Sequence, residues 1–242
     1  TAVIKQIFNS VLGRMVNDTE KAHWNNQLDN GSMSATAMTR SIINGDEFTT
    51  VVAPVARLYY GAFDRIPDLG GLNYWVQQFQ KGLSLKAMSA AFVASSEFNA
   101  KYGGNVEGAG FVELVYTNVF HRASDAGGKA YWVDQMSNNG LSKASLLVGF
   151  TSSAEFVTAK GEDIKVILEH HATEGRSPTQ SEVDFAVTTV NDSTIYATSK
   201  LDLLTSGSGV DNFVFASGDT GLTLATADTI TNFITVDDVI TT

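Results

Sequence analysis

The sequence predicts a mainly α-helical protein, an array of short-helix repeats followed by a small β-rich C-terminal segment. The first observation is a phrase that occurs twice: "DRIPDLGGLNYW" begins at Asp64 and "HRASDAGGKAYW" begins at His121. The second is the helical spacing of apolar residues around the phrase. The third is a change of composition after about Val190, where Thr, Ser, Gly and Asp predominate and apolar residues alternate as in strands. We therefore expect a helical repeat domain over 1–190 and a β-rich tail over 191–242.

The repeated phrase is predicted to be a turn between two helices. In "VARLYYGAF", which ends at Phe63 directly before the first phrase, apolar residues recur every three or four positions, so this stretch should be helical. Pro67 disfavours helical angles in the residue before it, and Asp68 is a good N-cap for the next helix. Gly82 ends that helix and Ser84 caps a third one. Each copy is thus a few short helices joined by tight turns.

The copies differ in how much of the pattern they keep. The two full copies share a similar ending, "FVASSEF" from Phe92 and "FTSSAEF" from Phe150. A weaker copy stands in front, where Arg14 and Trp24 keep the spacing between the arginine and the tryptophan of the phrase. A degraded copy begins with "EGRSPTQSEVDF" at Glu174, and worn terminal copies are expected where an array is capped. The predicted copies span about 3–52, 53–104, 109–160 and, as a partial copy, 163–190.

Six side chains of the phrase form the candidate ligand-binding set. An exposed tryptophan beside arginine and aspartate would offer a platform on which a sugar can stack. The alternative is structural: the tryptophans lie at apolar helical spacing and fill the core, while the arginines donate to helix-ending carbonyls or pair with the aspartates. Both interpretations are open from the sequence. The six residues are Arg65, Asp68, Trp75, Arg122, Asp125 and Trp132.

Composition argues against several classes of partner. Among 242 residues, 26 acidic and 16 basic side chains give a formal net charge of −10. This charge disfavours nucleic acid, whose phosphates would be repelled, and favours calcium, which binds carboxylate oxygens. The chain has no cysteine, which excludes thiolate metal sites and disulfides. No apolar run is long enough to span a bilayer, so no transmembrane segment is predicted.

The sequence lacks the common catalytic motifs, and we expect no enzyme. It has no nucleophile elbow, zinc-binding helix or P-loop. His121 falls where other copies have Gly13 and Asp64, which indicates a tolerant loop position. His170 and Glu174 are four residues apart on a predicted helix and could chelate a divalent metal, but a third ligand would have to come from elsewhere. The alternative for this pair is a solvated helix end.

The phrase R-x-x-D-x-G-G-x-x-Y-W and its "SSEF"-like ending resemble a helical repeat domain of unknown function found in bacterial secreted and surface proteins. The resemblance covers roughly Phe8 to Phe156. It implies a protein exported by type I secretion from a Gram-negative bacterium, such as an S-layer protein or an adhesin. The implied location is extracellular or at the cell surface.

The tail resembles the closing segment of a haemolysin-type calcium-binding (RTX) region. The resemblance rests on "SGSGVDNFVF", which begins at Ser206, and on the following "DTITNF". It implies calcium as a cofactor, with Asp211, Asp219 and Asp228 as candidate metal ligands. The tail departs from the pattern where Ser206 replaces a glycine and Asn232 replaces an aspartate. A single nonapeptide-like unit is visible, which supplies at most half of a calcium cage.

These features together predict a structural or attachment module of a secreted surface protein. Its partners would be envelope polysaccharide, such as lipopolysaccharide, or neighbouring copies of the same chain through self-association. Calcium would bridge the acidic surface to anionic sugars or to another subunit. The alternative function is an accessory, non-catalytic region of a type I-secreted extracellular hydrolase.

Overall fold

The chain divides into two compact units, Thr1–Ser177 and Pro178–Thr242. The computed structural model describes residues 2–186 and, further along the chain, the strand residues given below. The predicted boundary between residues 190 and 191 lies inside the second unit. As predicted, the described part of the chain is mainly α-helical.

The first unit consists of short helices, one longer helix and a π-helical turn. The π-helix, Phe48–Val52, lies between α3 and α4. The α-helices are α1 (Ala2–Leu12), α2 (Asp18–Asp29), α3 (Ala35–Ile43), α4 (Ala53–Phe63), α5 (Leu69–Gln80), α6 (Leu85–Val93), α7 (Ser96–Tyr102), α8 (Gly108–Phe120), α9 (Ala126–Asn138), α10 (Lys143–Thr151) and α11 (Ala154–Glu174).

Most of these helices begin at a side chain that caps the first turn. In each case a side-chain oxygen accepts a hydrogen bond from the backbone N–H three residues further on, and such a cap contributes about 1 kcal/mol. The predicted caps Asp68 and Ser84 are confirmed. The capping residues are Asn17, Ser34, Asp68, Ser84, Ser95, Asp125, Ser142 and Ser153.

In each copy, the helix that precedes the repeated phrase or its equivalent ends at a residue with a left-handed backbone. We call the turn that begins there a corner. These residues are Gly13, Asp64, His121 and Gly175, with φ of 64°, 47°, 53° and 69°. They occupy the same position of the repeat, so a left-handed residue opens every corner. The position of His121 is therefore not a tolerant loop position, because a side chain there meets a backbone cost of roughly 1 kcal/mol.

Turns do not separate all of the predicted copies. Helix α11 is 21 residues long and runs without a break from the end of the third copy into the partial fourth. The π-helix at the end of the first copy passes directly into α4. Between the second and third copies the chain does turn, at Gly103, which has a φ of 71°.

The first unit closes on itself. Helix α11 packs against α1, α3 and α4, and α6 packs against α10. Gln6 Nε2 donates a hydrogen bond of 2.8 Å to the carbonyl of Ala172, and Arg40 Nε donates one of 3.0 Å to Glu169 Oε1. The first copy thus contacts the last helix of the unit, and the repeats do not extend as an open solenoid.

The core changes in character from one copy to the next. In the first copy the largest side chains with less than 2% exposure are aliphatic or methionine, namely Ile4, Ile7 and Met38. In the second and third copies most are aromatic: Phe92, Phe98, Tyr102, Phe111, Phe150 and Phe156. The first copy also buries two rings, Phe8 at 2% and Phe48 at 3% exposure, so its core is less aromatic than those of the other two copies but does contain rings.

The second unit contains one described helix, α12 (Gln180–Ala186), and short parallel strands. Before α12 the Thr179 hydroxyl accepts from the Glu182 N–H at 3.2 Å, and the Glu182 carboxylate accepts from the Thr179 N–H at 2.8 Å. The strands are β1 (Thr189–Val190), β2 (Thr194–Tyr196), β3 (Leu203–Ser206), β4 (Asn212–Val214), β5 (Thr229–Thr231) and β6 (Val239–Thr241).

Successive strands of this unit alternate between two sheets. Strands β1, β3 and β5 form one parallel sheet, and β2, β4 and β6 form the other. In the second sheet Ile195 is in register with Phe213, which is in register with Ile240. The candidate calcium ligands Asp211, Asp219 and Asp228 lie outside the described residues.

Candidate functional site: the helix corners

The corner of the second copy is organised by Arg65. Its guanidinium lies over the ring of Tyr59, 5.1 Å from the ring centre, and Nη2 donates to the Tyr59 hydroxyl at 2.9 Å. Its other partner is Glu97 at the end of the copy, with Nε to Oε1 at 2.6 Å and Nη2 to Oε2 at 3.3 Å. Asp68 is further away, at 3.7 Å. Arg65 therefore joins the corner to α7, and the predicted pairing with the aspartate is the weaker contact.

The third copy repeats this arrangement. Arg122 Nε and Nη2 donate to Glu155 Oε1 at 3.1 and 2.9 Å, and its guanidinium lies 5.0 Å from the centre of the Tyr116 ring. Asp125 is again distant, at 3.9 Å. The carbonyl that accepts from Arg122 belongs to Ala123, not to the end of the preceding helix.

The first copy has the same arginine with one more carboxylate. Arg14 Nη2 donates to Glu47 Oε2 at 2.6 Å and to Glu20 Oε1 at 2.6 Å, and the guanidinium lies over Phe8 at 5.0 Å. Both carboxylates raise the pKa of Arg14, and the Glu47 hydrogen bond has the larger effect. We call each pairing of a corner arginine with the glutamate at the end of its copy a corner clasp. The three clasps are Arg14–Glu47, Arg65–Glu97 and Arg122–Glu155.

The two aspartates of the candidate set act as helix caps. Asp68 Oδ1 accepts from the N–H of Gly71 at 2.7 Å, and Asp125 Oδ1 accepts from the N–H of Gly128 at 2.7 Å. These backbone hydrogen bonds lower the pKa of both carboxyl groups. Both side chains nevertheless remain 61% exposed, so their free lone pairs face solvent.

The second glycine of each corner is required by close packing. A Cβ on Gly128 would overlap the hydroxyl of Tyr116 and approach Asp125 Oδ2 to 2.9 Å. A Cβ on Gly71 would lie 3.1 Å from the hydroxyl of Tyr59. The predicted close backbone approach is therefore made by the second glycine of the pair against the tyrosine and the aspartate.

The two tryptophans lie at the edge of the core. Trp75 and Trp132 are half-buried, and their ring centres lie 4.9 Å from those of Phe92 and Phe150, respectively. The preceding tyrosines, Tyr74 and Tyr131, are 54% and 57% exposed and stand edge-on to their tryptophan neighbours. Each of these two corners therefore shows solvent an aromatic surface, formed by the tyrosine and the rim of the tryptophan.

The arginines of these two corners are fixed cations. The arginines are held by carboxylates, which raise the pKa of Arg65 and Arg122 and keep both permanently charged. The exposed tyrosine rings, the cap aspartates and the clasps of these two copies provide apolar faces, acceptors and donors. Such a combination suits a ligand with both C–H faces and hydroxyl groups.

The described residues place no metal cluster around His170 and Glu174. Both lie on α11, and within the described part of the chain no group of three His, Asp or Glu side chains is arranged to hold a metal ion. Among the helices that the structure describes, none has the length and apolar character needed to cross a membrane.

The six candidate residues predicted from the sequence do not include the glutamates of the clasps. They lie 32 or 33 residues after their arginines, which is too far for any local pairing rule. A signal was nevertheless present, because Glu47, Glu97 and Glu155 each precede the phenylalanine that closes a copy. A glutamate that recurs 32 or 33 residues after a recurring arginine indicates a contact between the two side chains.

Comparison with known families finds one matching family. The family described as "Domain of unknown function (DUF4214)" matches residues 2–52 and 89–159, which together make up half of the chain. The chain therefore belongs to this family. No curated protein and no solved structure matches it.

Proposed function

We propose that this chain is an attachment module of a secreted bacterial surface protein, such as an S-layer protein or an adhesin, and that it binds envelope polysaccharide. The observation that carries the proposal is the repetition of one exposed aromatic surface at two equivalent corners, around Tyr74 and Tyr131. Sites that are weak singly bind a repetitive polymer more tightly when they are held on one rigid body, because the second contact is intramolecular. A polysaccharide is such a polymer.

Charge supports a glycan as the partner. The net charge of −10 opposes binding to phosphate-rich polymers but does not oppose a neutral sugar chain. In the same copy as Tyr74, the exposed carboxylate of Asp68 and the Arg65–Glu97 clasp supply acceptors and donors for sugar hydroxyls. The copy that contains Tyr131 has the equivalent groups, Asp125 and the Arg122–Glu155 clasp.

Calcium is a second element of the proposal. Alternation of parallel strands between two sheets is the connectivity expected of a β-roll, in which calcium lies between successive turns. Asp211 and Asp228 directly precede β4 and β5 in the sequence, and Asp219 lies between these strands. Sedimentation velocity in millimolar calcium and in excess chelator tests this element. Calcium-dependent growth, abolished by Asp211→Asn with Asp228→Asn, supports calcium-bridged self-association, and an unchanged monomer contradicts it.

The polysaccharide proposal is tested by binding the whole chain to the phosphate-free O-polysaccharide of lipopolysaccharide and to a neutral capsular polysaccharide in a co-sedimentation assay. We expect Tyr74→Ala combined with Tyr131→Ala to weaken binding at least about tenfold, since both aromatic contacts are lost. The matched control is Met15→Ala combined with Val157→Ala, which removes two other exposed apolar side chains, of 66% and 38% exposure. Equal loss in both variants, or no binding by the unmodified chain, would refute the proposal.

A further inference from the structure

The first copy contains a pocket at the corner where the other two copies are filled. Its volume is about 470 Å³, and it lies between α1, α2 and the end of α3. Pockets for small molecules are typically about 300–1,000 Å³. The pocket therefore has the size of a small-molecule site.

Two shortened side chains account for the pocket. Leu12 and Ile42 stand where the second copy has Phe63 and Phe92. In the second copy those two rings lie 4.9 Å apart, and Trp75 packs against Phe92 at 4.9 Å. The third copy has the same set of rings, namely Phe120, Phe150 and Trp132. The first copy keeps the tryptophan, as Trp24, but lacks the two phenylalanines that would pack beneath it.

The lining combines an apolar wall with a polar rim. Phe8, Leu12, Trp24 and Ile42 form the wall. The rim carries the Arg14–Glu47 clasp, Glu20 and Asp46. The side chains of Arg14, Glu20 and Glu47 are 27%, 27% and 36% exposed, so a ligand in the pocket can reach them.

The charges on the rim decide which ligand fits. An anion would face three carboxylates against one guanidinium and be repelled. A cation would find two of the three carboxylates already paired with Arg14, at 2.6 Å each, and the third, Asp46, exposed to solvent, where a single ion pair contributes little. A wholly apolar ligand would take water away from these charged groups without replacing its hydrogen bonds. A neutral polyol avoids all three costs, because its hydroxyls donate to the carboxylates and accept from the guanidinium.

We propose that this pocket binds a single neutral sugar residue, with the C–H face of the sugar against Trp24 and its hydroxyls toward Glu20 and Glu47. The proposal rests on the proposed function only for the source of that sugar, which is a residue of the envelope polysaccharide. The alternative source is a free sugar. The ligand class itself follows from the lining of the pocket.

The test uses neutral methyl glycosides of a hexose, a 6-deoxyhexose and an N-acetylhexosamine, observed by saturation-transfer NMR and by tryptophan fluorescence of the whole chain. We expect saturable binding of at least one glycoside. Leu12→Phe combined with Ile42→Phe restores the side chains of the other two copies and should weaken this binding at least about tenfold. Ser41→Trp narrows the pocket from an exposed position and should do the same without altering the core.

Controls separate this proposal from the proposed function. Measurements in the Tyr74→Ala, Tyr131→Ala background exclude glycoside binding by the two exposed tyrosine surfaces, and circular dichroism should show that every variant is folded. Glycoside binding that persists in both pocket variants of this background, or no glycoside binding by the background chain itself, overturns the pocket proposal even where polysaccharide still co-sediments with the unmodified chain. Tighter binding of a uronate or an amino sugar overturns the neutral class. Glycoside binding without polysaccharide binding upholds the pocket, identifies a free sugar as its ligand and overturns the proposed function instead.

Discussion

A methyl group added at Gly128 should destabilise the third corner unless the hydroxyl of Tyr116 is removed as well. The added Cβ would overlap that hydroxyl, and overpacking of this kind costs about 1–3 kcal/mol. Gly128 lies in α9, where alanine is the better helix former by about 1 kcal/mol. Because the overlap is this close, we expect the upper part of that range, a cost of about 2–3 kcal/mol, so the net expectation for Gly128→Ala is a loss of about 1–2 kcal/mol in the free energy of unfolding.

Removing the hydroxyl should recover most of this loss. With Tyr116→Phe, the remaining close neighbour of the new Cβ is Asp125 Oδ2 at 2.9 Å, so Gly128→Ala should become nearly neutral in this background. The two substitutions would then show a coupling of about 1–2 kcal/mol in a double-mutant cycle. Gly127→Ala is the matched control, since its Cβ would approach only Asp125 Oδ1, at 3.5 Å, and should stabilise the helix slightly.

Urea unfolding followed by the helical circular dichroism signal measures all five chains: the unmodified protein, the three single variants and the double variant. The reasoning is refuted if Gly128→Ala is as stable as Gly127→Ala. It is refuted equally if the loss caused by Gly128→Ala is the same with and without the tyrosine hydroxyl. Either result would mean that the second glycine is not required by the tyrosine above it.

Two further predictions concern histidines. Burial, with a smaller effect of His170, lowers the pKa of His171 from 6.5 to about 4. Between these two pH values the unfolded chain binds the proton more readily than the folded chain. The free energy of unfolding should therefore fall by at most about 3 kcal/mol as the pH drops from about 6.5 to about 4. Urea midpoints at several pH values should show this fall in the unmodified protein and a flatter profile in His171→Gln, and parallel profiles would contradict it. His121→Gly should raise the free energy of unfolding by about 1 kcal/mol, because glycine adopts the left-handed backbone without strain. The contact of His121 with Asp64, which is lost in this variant, lies at the surface and contributes little to stability. His121→Ala retains a Cβ and serves as its control in thermal unfolding; an equal gain with alanine would exclude backbone strain as the cause.

The helical architecture could be predicted because its signals are local. Asp68 and Ser84 cap their helices through a backbone N–H three residues away, a contact that depends on sequence spacing alone. Pro67 and the glycine pair likewise marked the turn between α4 and α5. Local rules also placed Trp75 at apolar spacing, and the structure shows this side chain half-buried against Phe92.

The contacts that complete the corners depend on tertiary structure. Arg65 reaches Glu97 because α7 lies beside the corner. No local rule predicts a contact between residues so far apart in sequence, and only its recurrence in three copies indicates it. The closure of the unit is of the same kind, since the hydrogen bond from Gln6 to Ala172 joins positions 166 residues apart. The left-handed backbone at His121 is hard to predict for a different reason. Glycine in one copy and aspartate in another indicate a tolerant loop position as readily as a left-handed one, although both residue types are enriched at left-handed positions.

The departures of the first copy from the other two are physically connected. In the second copy the first helix carries Tyr59, and the corner has glycine at position 71, where a Cβ would lie 3.1 Å from the tyrosine hydroxyl. The first copy has Phe8 instead, which lacks the hydroxyl, and Glu20 occupies the position of that glycine. No hydroxyl opposes a side chain at this position of the first copy, and the carboxylate of Glu20 pairs with Arg14 at 2.6 Å. Glu20 thus adds a second carboxylate beside the Arg14–Glu47 clasp, at the rim of the pocket that the two smaller aliphatic side chains leave open.

Random divergence of a terminal repeat would not be expected to combine a lost hydroxyl, a gained carboxylate and two lost rings at one corner. Together these changes are the ones that the pocket proposal requires. A double-mutant cycle that shows no coupling between Tyr116 and Gly128 would contradict the steric conflict between hydroxyl and Cβ on which this argument depends.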